Sequence, residues 1–212
     1  MRQDIIHDPA KISWILNQCN ILHLGLTNDH GAYVVPVHYG FTQQNDGSFV
    51  LYIHGTGDGE KAAALDSGKA IGFEVDHGHE NLVYTPPSPT EFNPSFMSVI
   101  GNGLPERITD SQKKANALKA IIHHYVAKSP VAIIPDEVKD INVWQIKVSN
   151  ITARVSSPTK SWQQALHLNQ PLNRGKHYDE NGGLLYDDFA DQPVDNDSED
   201  SDASTGASTT KD

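Results

Sequence analysis

The chain has 212 residues, 37% apolar and 20% charged, with 27 acids against 16 bases and a formal net charge of −11. The length suits one globular domain with an appendage, and the acid is concentrated there: residues 187–212 hold nine acids and one base, leaving the other 186 residues at −3. A nearly neutral body with an acidic tail argues against nucleic acid as a partner, because phosphate neutralisation needs clustered Lys and Arg, and against an anionic membrane surface.

No apolar run approaches the roughly 20 residues that span a bilayer. The opening MRQDIIHDP lacks the apolar core of a signal peptide, so a cytoplasmic protein is expected. A single cysteine, Cys19, cannot form an internal disulfide, which agrees with a reducing compartment. Its position just beyond Ile15 and Leu16 on an expected helix makes it a small core residue.

That helix has a written start, with Asp8 as N-cap, Pro9 at the first position, then Ile12, Ile15 and Leu16 at helical spacing. Strands are expected over 21–27 and 32–39, closed into a hairpin by Asn28-Asp29-His30-Gly31. A turn at 44–47 leads to a strand over 48–54. Both faces of that strand are apolar, so it is expected to be central and buried. A short helix through Ala62 and Leu65, stopped by Gly68, precedes a strand over 70–76. Residues 77–94, with Pro86, Pro87, Pro89 and Pro94, read as a surface loop. A strand from Phe96 runs toward Ile108, and Asp110 caps a helix carrying Ala117, Leu118, Ile121, Ile122 and Tyr125. Two last strands, 143–148 and 151–155, are separated by Ser149-Asn150. Hairpin-linked strands with a few flanking helices favour a small antiparallel barrel. Beyond residue 156 the pattern weakens: Trp162, Leu166 and Leu168 suggest a short amphipathic piece, and 191–212 is expected to be disordered.

The chemistry concentrates in His54-Gly55-Thr56-Gly57-Asp58-Gly59-Glu60-Lys61. Gly55, Gly57 and Gly59 permit close backbone approach, and Lys61 sits in the first turn of the next helix. Unpaired N–H groups and an ammonium there would cradle a phosphate; the alternative is a flexible turn followed by an exposed lysine. The segment matches neither the Walker pattern nor the dinucleotide fingerprint. His54, at the strand end, could hydrogen-bond, relay a proton or stack on a ring joined to that phosphate, or be a satisfied structural histidine. His77-Gly78-His79 with Asp76 lacks four evident metal ligands and reads as a solvated turn, and no metal is expected. His123 and His124, adjacent on a helix, point in different directions. No nucleophile elbow, Cys/His pair or spaced carboxylate pair supports hydrolysis.

Several segments together resemble the FMN-binding split-barrel proteins related to pyridoxamine 5′-phosphate oxidase, and in particular their nitroimidazole-resistance branch. They are Leu24-Gly25-Leu26, the run from Ala32 to Phe41, Leu51 to Gly55 with Gly59 and Lys61, Gly72 to Asp76, and Ser98 to Gly103. The resemblance implies a six-stranded antiparallel split β-barrel over residues 1–155, followed by a partly ordered extension (156–190) and the acidic tail (191–212). It also implies FMN at a homodimer interface. Lys61 with the backbone of Gly57 and Gly59 would take the phosphate; Pro36, Val37, His38 and Tyr39 would run along the ring; Ile53 and His54 would line it; Ser98 and Val99 would approach from the strand near the partner. His54 is the implied catalytic residue. Gly55 and Thr56 stand where small Ser and Ala residues are common, and Phe96 where a tyrosine is frequent.

The function so implied is an FMN-dependent oxidoreductase passing electrons to a small acceptor such as a nitro or quinone compound, with NAD(P)H as candidate donor. Two alternatives stay open: a non-catalytic flavin-binding or sensor module, and a haem-binding split barrel, which 11 histidines would permit. An intact Lys61 cradle favours a phosphate over haem carboxylates.

Overall fold

The computed structural model describes residues 5–78, 96–156, 176–178 and 184–187. The first helix, α1 (Pro9–Gln18), starts where its cap dictates: the Asp8 carboxylate accepts a 2.9 Å hydrogen bond from the Ala10 N–H. Ile12, Ile15 and Leu16 are buried, and Cys19 at the C-cap is buried with them.

Eight antiparallel strands form one sheet. They are β1 (Ile5–Ile6), β2 (Leu22–Asn28), β3 (Gly31–Val37), β4 (Gly40–Gln43), β5 (Phe49–Gly55), β6 (Ile71–Gly78), β7 (Phe96–Arg107) and β8 (Asn142–Ser156). The order is β3-β2-β6-β7-β8-β5-β4, with β1 added to the far end of β8 through Ile5↔Arg154 and Ile6↔Ala153. The ends β3 and β4 do not pair, so the sheet is split rather than closed. It has eight strands where six are implied by the resemblance.

Burial fixes the register. Leu22, Leu24 and Leu26 alternate inward at 0%, 0% and 1% exposure. A slip of one residue would expose all three, at about 1.5–3 kcal/mol each. On the opposite face Val34, Ile100 and Leu104 stand 66%, 58% and 47% exposed.

Three expectations change in detail. The strand expected over 32–39 ends at Val37, because the Tyr39 side chain turns into the core: its hydroxyl donates to the Leu16 carbonyl at 2.7 Å, and its N–H donates to the Tyr125 hydroxyl at 3.0 Å. The chain restarts as β4, which the sequence pattern does not separate from its neighbours. β5 is interior to the sheet but has only one buried face: Phe49, Leu51 and Ile53 are buried, Val50 and Tyr52 partly so, and His54 is exposed. The two strands expected around Ser149-Asn150 are a single strand, β8. Ser149 is a bulge residue, skipped between Asn102↔Asn150 and Gly103↔Val148, and its hydroxyl donates to the Asn102 carbonyl at 3.2 Å.

Helix α2 (Gly59–Leu65) follows β5, and α3 (Ser111–Tyr125) starts at Asp110, whose carboxylate accepts from the Lys113 N–H at 2.8 Å. α3 lies on β4 and β5, where a second apolar cluster forms from Ala117, Leu118, Ile121 and Val143. Gly40 makes this docking possible. A Cβ there would lie 2.5 Å from the α3 backbone at Ala120 and Ile121.

The chain divides into two compact units, 1–174 and 175–212, and the second contains the antiparallel pair β9 (Lys176–Tyr178) and β10 (Leu184–Asp187). Expectations for His79, the proline-rich run 84–94, Trp162, Leu166, Leu168 and the tail 191–212 fall outside the described residues. Among the described residues no helix is long and apolar enough to cross a membrane.

Candidate functional site

The loop between β5 and α2 is built by close packing at its glycines. A Cβ on Gly55 would lie 2.5 Å from Lys61 Nζ, and one on Gly57 would meet the Asn142 side-chain amide at 2.6 Å. The lysine ammonium therefore lies directly over the strand end, in space that only a glycine leaves. Gly59 has a φ of +85° with open space beside it, and the Asp58 side chain makes no cap hydrogen bond to α2. α2 has only seven residues, so the ammonium and the loop amides, more than a long helix dipole, supply the positive field.

Charges that the sequence pattern does not reveal hold this loop in place. Arg107, at the end of β7, donates through Nη2 to the Gly57 backbone carbonyl at 3.3 Å and through Nη1 to the Asn142 side-chain Oδ1 at 2.5 Å. The same guanidinium grips Asp66 with Nε at 3.1 Å and Nη2 at 2.5 Å, and stacks 4.5 Å above the Trp144 ring. Buried Trp144 in turn donates its indole N–H to Asp66 at 2.8 Å. The Arg107 hydrogen bonds hold the Asp66 carboxyl below its ordinary value. Asp66 and Arg107 are 41 positions apart in the chain, so only the fold brings them together. The one sequence signal was a lone arginine closing an apolar strand.

His54 is at the end of β5, paired with Val143. Partial burial, then the Lys61 ammonium, then His38 push its imidazole below the ordinary value of 6.5. It is a neutral ring at neutral pH, able to donate through one nitrogen and accept through the other. His38 follows β3 and meets Tyr125 edge to face at 5.2 Å; Tyr125 also donates to the Asn20 carbonyl at 2.6 Å. His38, His54, Lys61 and the glycine loop thus share one end of the sheet.

The other expected site residues are placed differently. Tyr39, Ile53 and Val99 turn their side chains into the core at 0% exposure, leaving only their main chain to reach a ligand. Val37 is half-buried. Pro36, exposed, and Ser98, partly so, lie on the outer face of the sheet, on strands separated by β2 and β6. A cavity of about 490 Å³ opens on the other side of α2, between Ala63, Ala64, Gly25 and Gly72, and neither His54 nor Lys61 lines it. His124 is buried, with Nε2 at 2.9 Å from the Cys19 carbonyl, and so serves the core.

The donor set suits a phosphate-ended ligand with a flat ring: one ammonium over a glycine strand end, loop amides free of a side-chain cap, and neutral imidazole beside them. The antiparallel sheet that carries them, unpaired between β3 and β4, is that of a split-barrel protein. The sequence model of the pyridoxamine 5′-phosphate oxidase family matches residues 8–155, and the chain belongs to that family. Among solved structures, it is similar to a candidate 5-nitroimidazole antibiotic resistance protein from Bacteroides thetaiotaomicron, at 29% identity and a TM-score of 0.59, over 72% of this chain and 86% of that one. The fold is shared with the FAD and haem binding protein from Mycobacterium smegmatis (18% identity, TM-score 0.60, 73% and 74% covered) and the flavocytochrome Anf3 from Azotobacter vinelandii (21%, 0.55, 76% and 74%). No curated protein matches in sequence.

Proposed function

We propose that this chain binds FMN and acts as an oxidoreductase that delivers electrons to a small acceptor of the nitro or quinone type. The observation that carries the reading is the position of Lys61 Nζ over Gly55, close enough to His54 that the ammonium helps hold its imidazole below the ordinary value. An ammonium held at a strand end among loop amides selects a phosphate, which FMN has and haem lacks. The bound flavin would supply the redox chemistry itself. The chain's part is to anchor the phosphate through Lys61 and the Gly57–Gly59 backbone, and to present His54 as a hydrogen-bond partner for the ring or acceptor. Arg107 and Asp66 keep the loop from relaxing.

The exposed apolar face bearing Val34, Pro36, Ile100 and Leu104 supports a homodimer. A second copy would cover that face and bring Ser98 toward the partner's flavin. NAD(P)H is the proposed electron donor. The test is the visible spectrum of the purified, untreated protein and identification of what denaturation releases. FMN near one per chain, followed by NAD(P)H-driven turnover of nitro or quinone compounds, is the expected result. A haem band, or a colourless protein that takes up no added FMN, would overturn the reading.

A further inference from the structure

The outer face of the sheet carries a side-chain cluster that the flavin reading leaves unused. His23 on β2 and Glu74 on β6 are direct cross-strand neighbours, and Asp76, two residues further along β6, projects from the same face because strand side chains alternate. His23 Nδ1 is 3.2 Å from a Glu74 carboxylate oxygen, and one ligand atom from each of the three residues lies within 4.8 Å of the others. We propose that His23, Glu74 and Asp76 form a binding site for one divalent transition-metal cation, with Zn²⁺ as the reference ion.

Two observations converge on this. The first is the donor chemistry: an imidazole with two carboxylates suits Zn²⁺ and its first-row neighbours, whereas Ca²⁺ and Mg²⁺ prefer oxygen throughout. The second is spacing. Two ligand atoms each about 2.1 Å from one ion, at tetrahedral to octahedral angles, lie about 3.0–3.4 Å apart, and the His23–Glu74 separation of 3.2 Å falls in that interval. Asp76, exposed on the same strand, holds a carboxylate oxygen within 4.8 Å of both. Three protein ligands leave further coordination positions for water, or for a group of the second copy proposed to cover the neighbouring Pro36 and Ile100. The ion would tie β2 to β6.

Sequence adjacency points elsewhere, to Asp76 with His77. Strand alternation puts His77 on the opposite face from Asp76, so the two readings separate cleanly. The site requires no flavin, and its test is independent of the proposed oxidoreductase activity.

The experiment uses the full chain, stripped with a chelator and titrated with Zn²⁺ against a chromophoric competitor, with thermal melts alongside. The expected result is one Zn²⁺ per chain and a melting temperature raised by Zn²⁺. Affinity should fall by more than about 100-fold, the upper end of the loss from removing a ligand's outer partner, in His23→Gln, Glu74→Gln and Asp76→Asn. His77→Gln should bind as the parent does. Circular dichroism checks each variant's fold, and exposed Asp76→Asn supplies the test should His23→Gln fold poorly. Absence of stoichiometric Zn²⁺ binding, binding unchanged in the three ligand variants, or binding lost in His77→Gln would each overturn the proposal.

Discussion

Lys61 Nζ occupies the space beside Gly55 that any other residue's Cβ would claim, at 2.5 Å. The clash created by Gly55→Ala is therefore with the far end of a flexible side chain, not with backbone. The lysine moves and the fold stays. Gly55→Ala is expected to leave the melting temperature unchanged while lowering FMN affinity by about 10–100-fold, the worth of a hydrogen bond to a charged group at about 1.5–3 kcal/mol. Lys61→Ala should lose as much and Lys61→Arg less. Fluorescence titration with FMN measures all three, and unchanged affinity in both Gly55→Ala and Lys61→Ala would remove the cradle.

Asp66 serves two partners of unequal importance. Its pair with Arg107 is about a third exposed on both sides, at 30% and 38%, and such pairs contribute about 0–1 kcal/mol. Its bond from the fully buried Trp144 indole is different, because a buried donor left without an acceptor costs about 1–3 kcal/mol. Asp66→Ala should therefore destabilise clearly more than Asp66→Asn, which keeps an acceptor for the indole. The lowered Asp66 carboxyl adds a pH signature. Its stabilisation is present above the ordinary 3.8 and is lost as pH falls below that toward the depressed folded value. Denaturant melts of the two variants at neutral and acid pH check both points.

Much of this architecture is legible in the chain. Asp8-Pro9 and Asp110 mark helix starts by capping chemistry that acts over two or three residues, and Leu22, Leu24 and Leu26 mark a half-buried strand by local alternation. What is not legible depends on distance. The break at Tyr39 is set by hydrogen bonds to Leu16 and Tyr125, far away in sequence, and the bulge at Ser149 by what β7 presents opposite it. The glycine loop with Lys61 is visible as a local sequence pattern, but its brace of Arg107, Asp66, Asn142 and Trp144 is not, since three separate segments supply it. Asp76 shows the same limit: its sequence neighbour His77 faces away, and its spatial neighbour His23 is 53 positions earlier.

Glu74 carries a penalty at neutral pH. Its carboxyl is raised above the ordinary 4.5 by burial and then by Asp76. The folded state therefore holds the proton more tightly than the unfolded state, so its contribution is fully present below about 4.5 and is lost as pH rises through the folded value. In metal-free protein, Glu74→Gln keeps a hydrogen-bonding partner for His23 and removes the repulsion. The variant should be more stable than the parent at pH 7, with the difference vanishing near pH 4. Paired thermal melts in chelator at the two pH values decide it, and a variant less stable at pH 7 would refute the assignment.

His54 titrates in the opposite sense, and a ligand phosphate should reveal it. Burial, Lys61 and His38 hold its imidazole below 6.5, so the unfolded chain takes up this proton first. Stability is full above 6.5 and is lost as pH falls from there toward the folded value. His54→Gln should flatten that part of the stability profile. Binding adds a reciprocal effect. A phosphate dianion beside Lys61 offsets the positive charge that disfavours protonation of His54, so FMN should raise the His54 titration midpoint in an NMR series. By linkage FMN must then bind more tightly as pH falls through that midpoint. Free FMN's phosphate also titrates near 6, so the parent profile alone does not isolate the histidine. The difference between the parent and His54→Gln does. A difference that grows on the acid side supports His54 beside the phosphate, while identical profiles would place His54 outside the ligand's field and remove it as the residue that handles a proton there.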